Sequence, residues 1–260
     1  MTRTLGKRSL ILLTVSIPLL LLGSALAGGR YLSGIVWPEP PIVTPGDRGG
    51  SPSDAVVLFD GKNLDAWKNG DKCTVDADGG FTVKAAIQTK QDFGDCQLHL
   101  EFASPNPPKG KDQGRGNNGV GLMGAHYEIQ ILDSYENKTY FEGQCASVYN
   151  QRPPMVNASR KPGEWQTYDI IFTAPRFDEE GKLAKPAYVT VLHNGVVVQN
   201  HTEILGDTPY DRVPKYTKHA DKLPLVLMYH GDPVRFRNIW IREFRELEGK
   251  IREKKKASGE

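Results

Sequence analysis

Between Asn117 and Asp133 the chain reads NNGVGLMGAHYEIQILD, setting Glu128, Gln130 and Asp133 close together among apolar neighbours. Carboxyl and amide groups are costly to hold on a packed sheet unless they are paired or used. On a strand, side chains alternate, so Glu128 and Gln130 share one face while Tyr127, Ile129 and Ile131 share the other. Asp133 would fall on the apolar face, and a bulge at Ile131 and Leu132 would bring it round beside Glu128 and Gln130. Such a group could carry general acid and base chemistry; the same spacing also fits an edge strand with one wet face and no chemistry.

The elements that must position these residues read as strands. Short alternating or apolar runs separated by turn signals occur at 55–59, 81–87, 96–102, 120–122, 127–132, 165–172, 188–192, 196–199, 225–229 and 236–242. No segment keeps a 3.6-residue period for three turns, so the pattern predicts an all-β sandwich or barrel. His193-Asn194-Gly195-Val196 is a hairpin signal, because Asn-Gly suits the two positive φ angles of a type I′ turn. The polar connections 104–118 and 153–163 are expected on the surface, rimming a groove.

The chain opens with basic Arg3, Lys7 and Arg8, an apolar run over 10–27, and the small-x-small sequence Ala25-Leu26-Ala27. This predicts a signal peptide over 1–27, or an N-terminal anchor holding the protein to the inner membrane through 10–27. Either way the rest is exported, to the periplasm or beyond. Residues 28–53, rich in Pro, Gly and Ser, read as a linker, 54–245 as one domain, and 246–260 as a charged tail or fraying helix. A net charge of +2 argues against a nucleic-acid partner. Three cysteines in an exported domain allow one bridge, with Cys73 and Cys96 the expected pair, or three small buried apolar residues. Gly114 to Gly119 matches G-x-G-x-x-G but leads into a strand, which leaves no helix N-terminus for a pyrophosphate. Asp76-Ala77-Asp78-Gly79 reads as a tight turn rather than a calcium loop, since the later Glu ligand is missing.

LFDGKNLDAW at 58–67, NNGVGLMGAHYEIQILDSY at 117–135, PPMVNASRKPGEWQTYDIIFTAPRF at 153–177, VTVLHNGVVVQN at 189–200 and HGDPVRFRNIWIRE at 230–243 run in order along the domain. Together they resemble the 3-keto-disaccharide hydrolases, the family formerly called DUF1080. The resemblance implies a concanavalin A-like jelly roll of two antiparallel sheets with a concave sugar-binding face. It also implies a carbohydrate substrate, a glycoside whose sugar carries a ketone at carbon 3. The ketone acidifies the proton on carbon 2, a base removes it, the glycosidic oxygen is expelled from carbon 1, and water adds back.

That route needs a base, a group or metal polarising the ketone, and an acid for the leaving oxygen. The candidates are Glu128, Asp133 and His230. Gln130, Arg235 and Arg237 would orient substrate, and Asn117, Asn118, Tyr149 and Asn150 flank the groove as hydroxyl partners. Glu128, Asp133 and His230 would also make an oxygen-rich ligand set suited to a divalent metal such as calcium, manganese or zinc. Where the family reads Leu-Gln-Asp-His-Gly, this chain has Leu227-Met228-Tyr229-His230-Gly231, which takes away a carboxylate that would sit beside His230. Glu128-x-Gln130-x-x-Asp133 also shares the spacing of the E-x-D-x-x-E motif of laminarinase-like glucanases, with an amide in the middle. A retaining glycoside hydrolase on unoxidised glycans, its outer carboxyls about 5 Å apart, is therefore the alternative mechanism. A non-catalytic carbohydrate-binding module is the third reading.

Overall fold

A computed structural model describes residues 33–251 apart from Arg48; the expected signal or anchor at 1–27 lies outside the described residues. No described helix is long and apolar enough to cross a membrane. In chain order the strands are β1 (Ile35–Val36), β2 (Val56–Phe59), β3 (Trp67–Lys68), β4 (Thr74–Val75), β5 (Phe81–Thr82) and β6 (Ile87–Phe93). They continue with β7 (Cys96–Ala103), β8 (Asn118–Leu122), β9 (Tyr127–Ile131), β10 (Gln166–Thr173), β11 (Arg176–Phe177) and β12 (Leu183–Lys185). The last five are β13 (Tyr188–His193), β14 (Val196–Glu203), β15 (Leu223–Leu227), β16 (Arg235–Glu243) and β17 (Lys250–Ile251).

Residues 40–246 form the main unit, a sandwich of two antiparallel sheets. The larger sheet has eight strands, running β14-β13-β10-β7-β16-β5-β4 with β2 added beside β16; the smaller has five, in the order β3-β6-β15-β8-β9. Alternation explains the larger sheet: along β10 Tyr168, Ile170 and Phe172 face inward while Thr167, Asp169 and Ile171 are wetter. One core joins the inner faces, with Leu98, Phe102, Tyr168 and Phe172 from one sheet against Tyr127, Ile129, Leu225 and Leu227 from the other. Tyr168 Oη even crosses to donate to the Gln130 carbonyl at 2.7 Å. The Asn194-Gly195 hairpin forms as expected, with φ of 53° and 78° between β13 and β14.

Four expectations are corrected. The run at 81–87 is the end of one strand and the start of another, and β6 continues as IQTKQDF through polar residues; its buried Thr89 is accommodated because the hydroxyl donates to Gln91 O and accepts from Leu225 N. Cys73, Cys96 and Cys145 are all free thiols. The register runs Thr74–Thr82–Arg235–Ala103, so Cys73 lies level with the far end of β7 from Cys96, about 25 Å along the strands at ~3.3 Å per residue, where a bridge cannot close. Residues 40–53 are more than a linker, since the Gly49 carbonyl accepts from both Asn238 Nδ2 and Trp240 Nε1. A separate small unit holds 33–39 and 247–251, where β1 pairs antiparallel with β17, so Lys250 and Ile251 are extended rather than helical.

Candidate active site

Glu128 and Gln130 project from β9 onto the outer face of the smaller sheet, away from core-facing Tyr127, Ile129 and Ile131. Opposite them on β8 stand glycines, Gly121 across from Glu128 and Gly119 across from Gln130. The missing side chains open a floor, and the Glu128 side chain lies over Gly119, where an added Cβ would stand 2.8 Å from Glu128 Cδ. Met228 follows β15 and donates its backbone N–H to Gly119 O; two residues further on, His230 reaches the same face. The His230 Nε2 and Glu128 Oε1 atoms are 3.9 Å apart. Asn117, Tyr149, Thr208, Pro209 and Tyr210 join Glu128, Gln130, Met228 and His230 around a cavity of about 330 Å³.

The electrostatics of this cavity are set by dryness. Glu128 is 5% exposed, and burial alone raises its carboxyl from an ordinary 4.5 to about 8. Burial also pushes the His230 imidazole below its ordinary 6.5. At neutral pH the two groups therefore rest as a carboxylic acid and a neutral imidazole side by side, one able to donate a proton and the other to accept one. With its amide nitrogen turned toward Glu128, Gln130 donates to Glu128 Oε1 at 3.0 Å and to the Asn118 carbonyl at 2.7 Å.

The walls are held by contacts distant in sequence. Asp232, two residues past His230, accepts from the Asn117 N–H at 2.8 Å and so ties the His230 turn to the start of β8. Asn117, whose Nδ2 donates to Gln113 O, lines the cavity at this point. The segment carrying Thr208, Pro209 and Tyr210 is clamped by amides: Asn150 Nδ2 donates to Pro209 O, and Gln151 Nε2 to Gly206 O and Asp207 O. Thr208 Oγ1 accepts from the Glu128 N–H, and Tyr210 stands 80% exposed at the mouth.

Several expected site residues lie elsewhere. Asp133 does not come round beside Glu128, because β8 and β9 pair without a bulge and β9 ends at Ile131. Its buried carboxylate instead accepts from Arg115 Nε at 2.7 Å and from the Tyr135 N–H, and it is not among the cavity residues. Asn118 points into the core, fully buried, because it alternates with Asn117 and Gly119. Asn150 supports the 207–210 segment rather than lining the cavity. Arg235 and Arg237 belong to β16 of the other sheet; Arg235 bonds Asp76 and Asp78, Arg237 bonds Glu101, and both guanidinium groups lie over the Trp165 ring. The groove rim differs from expectation in part: Asn117 of 104–118 lines it, but 208–210 takes the place expected of 153–163. The proposed metal ligands do not converge: with Asp133 bound to Arg115, no group of three His, Cys, Asp or Glu gathers among the described residues.

Thr208 and Tyr210 carry no motif that sequence reading could have found, and Asp232, though inside the 230–243 motif, gives no sign there of its bond to Asn117. Met228 is visible only as a departure from the family pattern, and it lines the cavity where Tyr229 packs against the core. For Asp133 the expected result of Asp133→Asn is structural: a loss of about 2–3 kcal/mol in denaturant unfolding, from weakening a buried charged pair, with the Glu128 cavity unaltered.

The 3-keto-alpha-glucoside-1,2-lyase-like domain family matches residues 54–242. Among solved structures, a glycosyl-hydrolase-like protein from Parabacteroides distasonis ATCC 8503 is 50% identical, with a TM-score of 0.76 over 80% of this chain and 93% of that one. A second such protein from the same organism is 24% identical, with a TM-score of 0.53 over 73% of this chain and 99% of its own, a likeness of fold. No curated protein matches the sequence. The jelly-roll sandwich, the match across both sheets and the half-identical solved relative together place this chain in the 3-keto-alpha-glucoside-1,2-lyase-like domain family, a carbohydrate-active, glycosyl-hydrolase-like group.

Proposed function

We propose that the domain cleaves 3-keto-glycosides by elimination across carbons 1 and 2 followed by hydration, with His230 as the base and Glu128 as the acid that polarises the ketone. The observation that carries the reading is the pair itself, a buried carboxyl raised to about 8 beside a partly exposed imidazole lowered below 6.5, 3.9 Å apart over a glycine floor. The proton to be removed and the ketone oxygen sit on adjacent ring carbons, so a base and a hydrogen-bond donor this close can serve both at once. A carboxylic acid kept neutral at pH 7 can donate to the oxygen that becomes negative in the enolate. Exposed Tyr210 offers a ring face to a sugar at the mouth.

A retaining glycosidase needs two carboxyls flanking the bond. Asp133, the second carboxyl of the E-x-Q-x-x-D spacing, is tied to Arg115, which weighs against that mechanism. We assign no step to a metal, because Asp133 does not complete the ligand set. The basic, apolar and small-residue pattern at 1–27 supports export of the domain.

The test is release of glucose from 3-keto-trehalose and from unoxidised trehalose, with and without added divalent metal. Release from the keto sugar alone is expected; release from trehalose would favour the glycosidase mechanism, and binding without release from either would favour a carbohydrate-binding module. Asn150→Gly, which removes one clamp on the 207–210 segment and suits the positive φ at this position, is expected to raise KM about fivefold through loss of one hydrogen bond while kcat changes little, in steady-state kinetics.

A further inference from the structure

We infer that Tyr149 is the proton donor to the departing glycosidic oxygen and that Tyr140 resupplies its proton from solvent. The assignment rests on the elimination reading above. Residues 146–149 run along the outer edge of β9: Val148 bridges Ile129, the Tyr149 N–H donates to Glu128 O, and the Gln130 N–H donates to Ser147 O. Opposed residues on antiparallel chains share a face, and Ile129 and Val148 both face the core. Tyr149 therefore stands beside Glu128 on the cavity face, the two Cβ atoms about 5 Å apart. The Thr208 hydroxyl, the other one beside Glu128, is taken up by the backbone, accepting from the Glu128 N–H and donating to His126 O.

Behind it, the Tyr149 and Tyr140 hydroxyls are 2.8 Å apart. Tyr140 is 41% exposed, and burial of its hydroxyl together with this bond holds it in the protonated form. With Tyr140 donating, the Tyr149 proton is left for the cavity, and the tyrosinate formed on proton loss keeps a hydrogen bond. In the reaction the imidazole of His230 takes the carbon-2 proton, and the C–H electron pair becomes the enolate under the Glu128 acid. That pair closes the C1–C2 double bond as the C1–O bond breaks with its electrons on oxygen. The oxygen takes the Tyr149 proton, Tyr149 takes that of Tyr140, Tyr140 takes one from water, and His230 returns its own to solvent. No oxidant or reductant is consumed.

A leaving phenolate that is stable without protonation needs no such donor, whereas a sugar alkoxide does. We would therefore compare p-nitrophenyl 3-keto-glucoside with 3-keto-trehalose, for the wild type, Tyr149→Phe and Tyr140→Phe. The expected result is a loss of about 100-fold on the disaccharide in Tyr149→Phe, with a change below about fivefold on the nitrophenyl substrate. Tyr140→Phe should show the same selectivity at about tenfold. Equal losses on both substrates, or no loss on the disaccharide, would overturn the proton-donor role while leaving the elimination reading intact. Turnover of neither substrate by the wild type would overturn the elimination reading, and this assignment with it.

Discussion

Replacing Glu128 with Gln is expected to slow turnover of a 3-keto-disaccharide about 100-fold while making the folded domain more stable at pH 8. The amide keeps the shape but is a much weaker hydrogen-bond donor than a carboxylic acid to the ketone oxygen as it becomes negative. Its stability effect follows from where the carboxyl is held. The unfolded chain gives up this proton near 4.5, the folded domain near 8, so the folded state loses stability as pH climbs between those values. At about 1.4 kcal/mol per unit, the penalty by pH 8 is on the order of 4–5 kcal/mol, and the Gln variant does not carry it. In thermal unfolding, the variant should melt about 10–15 °C above the wild type at pH 8 and close to it below pH 4.5. The activity profile changes with it. Wild-type turnover should rise as His230 loses its proton below pH 6.5 and fall as Glu128 loses its own near pH 8; the Gln variant should lack the descending limb. An unchanged melting temperature at pH 8 would mean that the carboxyl is solvated, and the assignment of Glu128 as a neutral acid would fail.

The exchange of stability for function at Glu128 also bears on what is legible in the sequence. Alternation in YEIQI is enough to put Glu128 and Gln130 on one face, because a period of two is a local property of a strand. Asp133 departs from its expected place for the converse reason. Its position depends on whether a bulge follows Ile131, and that is decided by Arg115, which draws the carboxylate away from eighteen residues earlier in the chain. Asn194-Gly195 makes its hairpin because both positive φ angles are written into the two residues concerned. β6 leaves no signal, since its buried Thr89 is satisfied by partners in its own turn and on β15. The 205–210 segment that closes the site arrives some eighty residues after Glu128, and is held by Asn150 and Gln151 side chains that look like ordinary loop polarity. Arg235 and Arg237 show the limit of spacing: two guanidinium forks do share one face, but the topology sends β16 to the other sheet, where Asp76, Asp78 and Glu101 already occupy them.

Gly119 is where the sequence carries a requirement of the site that no polar residue reveals, and Gly119→Ala is expected to lower kcat about 100-fold. Glycine weakens a strand, so one in the middle of β8 marks a close approach by something else. Here the approach is the Glu128 side chain, since an alanine Cβ would overlap Oε1 and stand 2.8 Å from Cδ and 2.9 Å from Cγ. The backbone at Gly119 is fixed by the Asn118 side chain, which accepts from its N–H, and by the Met228 N–H, which donates to its carbonyl. Of the two, Glu128 must move. A displacement of about 1 Å at a reacting group costs on the order of 100-fold. Swinging toward the cavity mouth would also rehydrate the carboxyl, so the descending limb of the pH profile should shift to lower pH as the rate falls. Gly114→Ala is the matched control, because a Cβ there meets nothing within 4 Å and should change neither. Undiminished turnover in Gly119→Ala with the limb still near pH 8 would show that the carboxyl does not act from its seat over the glycine floor. A slow enzyme whose limb has moved would show that this seat is what keeps Glu128 protonated and in place.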